Sequence, residues 1–372
     1  ARPSPEVAGT TMDFTMGGDR SLFAETLSDI LDDVCSPAAI RSSWEDPTGA
    51  VDGLWETLAG TGVLGLTVPE VHGGLGMDEV DQVLLLEELG RAACPDPVAE
   101  HSAVAVPVLR DLAPSSTCDQ WLGRAAEGSA VLTAGSPAGT SSGTLVLAGD
   151  RADLVVLVVD GAVHAVPAAL VSGRPVESID GARRLAEVTV EVSDETLVSD
   201  DPAAVTALWD RGAWAAAAQA VGVAQRLLDL TVAYVTEREQ FGRPVGVNQA
   251  VKHHCSNVAI AVEFARPMVQ TAAWALANGR APEGTVPPGA TGAAGPSTLV
   301  SMAKAMASDA VDLACRSALQ CHGAIGYTVE HDLQLWLKRG WALSASWGDA
   351  HRHRRRIAVD LGMVVGSGTS TT

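Results

Sequence analysis

Long apolar runs are missing from this chain: no stretch of about eighteen residues escapes polar interruption, and no charged-then-apolar leader opens it. A membrane-spanning helix and a secretory signal are therefore not expected, and the reading is a soluble, cytoplasmic protein. Cysteine is sparse, with six residues at 35, 94, 118, 255, 315 and 321, no C-x-x-C pair and no regular spacing. That disfavours a zinc site or a disulfide framework and fits a reduced compartment with mostly buried thiols. Basic residues are in deficit, 25 Lys and Arg against 45 Asp and Glu, for a formal net charge of −20. Nucleic acid and anionic membrane, which need a basic surface, are thereby excluded as main partners. The glycine-rich stretch from Leu66 to Gly76 lacks the Lys-Ser or Lys-Thr ending of a phosphate-binding loop and follows no buried strand, so it reads as a turn.

What is present is a large globular chain of 372 residues, 47% hydrophobic and 19% charged. Ala1 to Thr11, with two prolines and no periodicity, reads as a tag remnant or disordered leader (1–11) before a start near Met12. Helical spacing appears at Leu22, Phe23, Leu27, Ile30, Leu31 and Val34 and continues through Trp55 to Leu64. It recurs over Asp78 to Ala92, Val104 to Leu112 and Trp121 to Ala126, an all-α region at 12–130. From Val131 to Asp200 the runs are short and Val-rich: Thr144 to Ala148, Leu154 to Val159, Ala162 to Pro167 and Ala186 to Val192. Gly, Asp and Ser separate them, which predicts a small antiparallel sheet at 131–200. Asp200 and Asp201 ahead of Pro202 start a helix to Arg238, with a small-residue face over Ala213 to Ala220. A helix from Gln249 to Ala277 contains Pro267, which predicts a kink. Gly279 to Ser297, rich in Pro and Gly, reads as a disordered excursion. Helices Thr298 to Leu319 and Thr328 to Leu343 complete a four-helix bundle within 201–372. The fold class is α+β, mostly α.

Two stretches carry chemistry. Arg238 to Gln249 reads R-E-Q-F-G-R-P-V-G-V-N-Q and joins two helices through a turn with Gly242, Pro244 and Gly246. The planar fork of Arg238 suits phosphate oxygens, and Phe241 offers a face to a flat heterocycle. The alternative is a helix C-terminus whose Arg faces the dipole. From Gln320 the chain reads Q-C-H-G-A-I-G-Y-T-V-E-H-D-L-Q-L-W-L-K-R, again a helix end, a glycine turn and a new helix. Together and in this order, the two stretches resemble the C-terminal helical domain of the acyl-CoA dehydrogenase family, and the resemblance extends over most of the chain.

The resemblance implies three parts, an N-terminal helical domain, a shortened central β-domain and a C-terminal four-helix bundle that forms the dimer interface. It implies FAD as cofactor, an acyl-CoA substrate, and contacts across that interface to a neighbouring subunit's flavin from Arg238, Gln240, Phe241, Gln320, Gly323 and Gly326. Ala324 stands where the family has a second Gly. Features used within one subunit are reduced. The Thr-Glu-Pro-x-Ala-Gly-Ser-Asp flavin loop survives at most as Ala134 to Thr140, and no Trp occurs between Trp121 and Trp209 to replace the one that lies on the isoalloxazine. The family's carboxylate base falls, by position, on Trp347 or on Gly212. The nearby carboxylates are Asp349, a displaced base or else an N-cap, and Asp210, a base or else a solvated acid near a helix start. The run His351 to Arg356 is a phosphate contact or a solvated face, and His253 and His254 are a metal pair or ordinary helix residues. Because the elements used across the interface are kept and those used within the subunit are lost, the expectation is the non-catalytic half of an actinobacterial heterotetrameric acyl-CoA dehydrogenase acting in steroid side-chain degradation. The alternatives are a homomeric dehydrogenase using Asp349 and a flavin-free assembly partner.

Overall fold

The computed structural model describes residues 17–136, 144–282, 285, 292 and 294–363. The leader expected at 1–11, the part of the Ala134 to Thr140 loop beyond Ser136, and residues 283, 284, 286–291 and 293 of the excursion expected at 279–297 lie outside the described residues.

Helices come first: α1 (Gly18–Val34), α2 (Pro37–Glu45), α3 (Leu54–Gly60), α4 (Glu79–Arg91), α5 (Val106–Leu112) and α6 (Ser115–Ala126). α4 starts at a reciprocal cap, in which the Asp78 carboxylate accepts from the amides of Val80 and Asp81 while Asp81 accepts from the Asp78 amide. Its apolar side buries Val83, Leu85, Leu86 and Leu89. A π-helical run, Glu100–Ala105, leads into α5 and buries His101, whose Nδ1 accepts from the Leu132 amide (3.0 Å) and whose Nε2 faces Ala125 O (3.3 Å).

Among the described residues seven strands then form one sheet in the order β5-β6-β2-β1-β3-β4-β7: β1 (Leu132–Ser136), β2 (Thr144–Leu147), β3 (Leu154–Val159), β4 (Ala162–Pro167), β5 (Val171–Val176), β6 (Leu185–Val190) and β7 (Leu197–Ser199). Every pairing is antiparallel except that of β1 with β3. The sheet is thus antiparallel-rich, as expected, and its one parallel pair has a geometric cause. β2 reverses the chain once and pairs on one side of β1, and a second reversal brings β3 back in β1's direction on the other side. β1, β5 and β7 are additional to the sequence reading. β5 carries Pro175 and is exposed between its half-buried ends Val171 and Val176 at the sheet edge, where proline is tolerated.

The rest is helical: α7 (Pro202–Glu237), a two-stranded hairpin of β8 (Glu239–Gln240) and β9 (Arg243–Pro244), α8 (Gln249–Asn278), α9 (Pro296–His322), α10 (Leu333–Ala345) and α11 (Ala350–Asp360). α7, α8, α9 and α10 pack on one another, and α4 lies across α7. That crossing needs bare backbone: a Cβ on Gly222 would meet Glu87 O at 1.9 Å, and one on Gly90 would meet Gln219 O at 2.1 Å. α8 continues through Pro267 to Asn278. The helix expected from Thr328 starts at Leu333 instead. Arg41 donates to Val329 O (2.7 Å) and Glu330 O (3.3 Å) and pairs with Asp332 (2.8 Å), while the Leu333 amide donates to His331 Nδ1 (3.1 Å), so these groups bond outside a helix. One apolar core runs from α1 through β1 and β3 into the bundle, and a smaller one covers the other face of the sheet.

Candidate active site and cofactor cleft

The two glycine-turn stretches converge. Arg238 ends α7 in extended conformation, and its carbonyl accepts from the Val245 amide (2.8 Å). Phe241 (φ +53°) and Gly242 (φ +76°) form the two-residue turn of the β8–β9 hairpin, both in the left-handed region that such turns require. The turn throws the Phe241 ring wholly into solvent. Opposite, α9 stops at Gly323 (φ +65°, ψ −141°), and a 3₁₀ turn follows to Tyr327. Between them lies a cleft of about 450 Å³ bordered by Arg238, Gln240, Gln320 and Gly323, with Ala324 at its rim. Its floor is the stacked pair Tyr234 and His322, with ring centroids 4.3 Å apart. Phe241 and Gly326 do not line it; Gly326 is buried, and a Cβ there would press to 3.0 Å against His322.

The Arg238 guanidinium is exposed and has no hydrogen-bond or ion-pair partner among the described residues. An open cleft with an uncommitted fork donor and a glycine backbone at its edge is chemically suited to phosphate oxygens. Exposed Phe241, Ile325 and Tyr327 stand beside it in the chain, as expected where a second surface completes a site.

The second locus lies at the loop between α10 and α11. Trp347 is buried, and its indole rests on Gly212 of α7, so that a Cβ on Gly212 would fall 2.2 Å from the ring. The two positions on which the resemblance puts a carboxylate base thus touch in space, one filled by indole and the other bare. Asp349, exposed, caps α11 by accepting from the Arg352 amide (2.8 Å), and that bond holds its carboxyl below the usual carboxylate range. A general base needs the opposite shift.

Asp210 corrects its solvated-acid reading. It is buried where α7 meets α11, accepts from Ser297 Oγ (2.5 Å) and pairs with Arg356. Burial pushes its carboxyl up, opposed by the Arg356 charge and both hydrogen bonds. The basic run is divided: Arg354 pairs with Asp309 at the surface, Arg352 and Arg356 lie over the Trp209 ring at 5.2 and 4.9 Å, and His353 is buried. His254 meets Ser317 Oγ (3.3 Å), and no cluster of three or more potential metal ligands occurs among the described residues.

Two residues hold the loop: Lys304, which sequence reasoning missed, and His353, which it placed only within a basic run. Lys304, fully buried in α9, donates to Ser308 Oγ (2.9 Å), Ser344 O (3.0 Å) and Gly348 O (3.0 Å), and burial brings its pKa down to about 7. His353 Nε2 donates to Trp347 O (3.0 Å) with its ring stacked on Trp209, and burial lowers its pKa to about 4. The available signal for Lys304 was one Lys inside the otherwise uncharged Ala, Ser and Met run from Ser301 to Ser308.

Similarity to known proteins agrees with this geometry. Residues 203–361 match the family description "Acyl-CoA dehydrogenase, C-terminal domain", and 18–129 match "Acyl-CoA dehydrogenase, N-terminal domain". The chain is 31% identical over 347 residues to acyl-CoA dehydrogenase IpdE2 of Mycolicibacterium smegmatis, covering 93% of this chain and 100% of that protein. Its fold matches a chain of the ChsE4–ChsE5 complex of Mycobacterium tuberculosis with TM-score 0.82 at 23% identity, over 95% of this chain and 100% of the other. A similar match, TM-score 0.81 at 24% identity over 94% and 99%, links it to a variant of the Tcur3481–Tcur3483 steroid ACAD.

Proposed function

The chain belongs to the acyl-CoA dehydrogenase family, and from that premise we propose that it is the non-catalytic subunit of a heteromeric, FAD-dependent acyl-CoA dehydrogenase. The observation that carries the reading is the Trp347 indole on Gly212: neither base position offers a group able to take a proton from the thioester α-carbon. When bound, FAD supplies the acceptor for the β-hydride. This chain's contribution is to hold that flavin in a homologous partner, with Arg238, Gln240, Gln320 and the Gly323 backbone toward its phosphates and Phe241 reaching across from the exposed hairpin. Gly326 supports the turn from beneath.

Unlike subunits are supported by the ChsE4–ChsE5 and Tcur3481–Tcur3483 folds, both of which pair differently named chains. The steroid ACAD neighbour supports a bulky acyl group such as a steroid side chain. Exposed Ile260 and Phe264 on α8 give the bundle an apolar outer side for a partner. The test is expression of the chain alone and together with a homologous acyl-CoA dehydrogenase subunit, following flavin absorbance and CoA-thioester desaturation. Colourless protein alone and a yellow, active complex are expected. Yellow, active protein from this chain alone sinks the proposal in favour of a homomer.

A further inference from the structure

Two cavities flank Trp347. One, of about 530 Å³, is bounded by Val205, Leu208 and Trp209 of α7 and by Arg352, Arg356 and Val359 of α11. The other, of about 780 Å³, opens between Leu145, Leu147 and Leu185 of the sheet and Trp341 of α10, and its walls also carry Glu177, Arg183 and Asp349. Trp347 and Arg352 belong to the walls of both. The first is apolar on one side and cationic on the other in a chain of net charge −20, and the second is large enough for a bulky apolar body.

The indole between them is held in a conformation that a passive filler would not adopt. Trp347 has φ +56°, a left-handed backbone that a bulky side chain avoids. Three contacts impose it: His353 Nε2 on the Trp347 carbonyl, Lys304 Nζ on the Gly348 carbonyl, and the bare Cα of Gly212 beneath the ring. We propose that Trp347 is a fixed partition that keeps the two cavities apart and bars a long anionic amphiphile, an acyl thioester of CoA, from threading through this chain. The choice of a CoA thioester rests on the family reading above, whereas the partition rests on geometry alone.

Two variants remove the wall by different routes. Trp347→Ala deletes the ring, and Gly212→Ala keeps it but plants a methyl where the ring lies. Octanoyl-CoA and decanoate are titrated calorimetrically into wild type and both variants, each checked for a cooperative thermal transition. Wild type is expected to bind both weakly, and each folded variant at least about tenfold more tightly. A gain for decanoate without one for octanoyl-CoA supports the partition and removes the family-based choice of ligand. No gain for either probe in a folded variant, or wild-type binding as tight as the variants', overturns the partition. Loss of the folded state in both variants would show the indole to be structural filling and overturn it equally.

Discussion

Arg238 and Asp349 are the two residues whose substitution most sharply separates binding from chemistry. Arg238 is exposed and uncommitted, so Arg238→Ala should leave folding unchanged but, on the proposed reading, remove a charge-assisted contact to flavin of about 1.5–3 kcal/mol. Flavin affinity of the assembled complex should then drop about tenfold to more than a hundredfold, read as cofactor loss on dilution and gel filtration. Unchanged flavin retention would remove this residue from the cofactor site. Asp349, by contrast, spends its carboxylate on the Arg352 amide at the start of α11, a role that Asn fills nearly as well. Asp349→Asn should therefore leave turnover of the complex intact; lost turnover with full flavin content would make this chain the catalytic one.

At the scale of elements, His101 joins the π-helical run to the sheet. Accepting from Leu132 and facing the Ala125 carbonyl, it must remain neutral, and burial lowers its pKa to about 4 from the ordinary value near 6.5. The unfolded chain takes up this proton before the folded one does, so unfolding is favoured as pH falls. The stability due to neutral His101 is complete above about pH 6.5 and is lost progressively down to about 4, roughly 3 kcal/mol in all. Urea midpoints measured between pH 7 and 4.5 should fall more steeply for wild type than for His101→Gln; parallel curves would contradict the assignment. α10 shows a different limit on reading elements from sequence. Thr328 to Leu343 has helical spacing, yet Arg41, distant in the chain, claims the carbonyls of its first turn.

For the whole molecule, the joint between the sheet segment and the bundle turns on Arg339 of α10. It is buried, pairs with buried Asp180 and donates to Cys94 O (2.7 Å), so one side chain ties three regions of the chain. Arg339→Met leaves Asp180 buried without its cation, at a cost of about 3–5 kcal/mol. A large loss of thermal stability is expected, and the double variant Arg339→Met with Asp180→Leu should recover much of it. A double variant no more stable than the single one would show that the pair's charge is not what matters there. Among the described residues no helix is long and apolar enough to cross a membrane.

The sequence by itself determined what depends on near neighbours: the apolar spacing of α1, α4 and α8, the small-residue face of α7, the cap at Asp201, and the composition change at Val131. It also pointed to the Arg238 and Gln320 stretches, because a glycine turn and its flanking side chains are encoded within a few residues. Tertiary structure decided whatever joins residues far apart. Only folding places Trp347 on Gly212, brings Lys304 and His353 beneath the same loop, buries Asp210 against Arg356 and Ser297, and sets β3 parallel to β1. The physical reason is that burial and hydrogen-bond partnership belong to packed surfaces rather than to local spacing. An aspartate near the start of a long helix reads as solvated until another helix covers it.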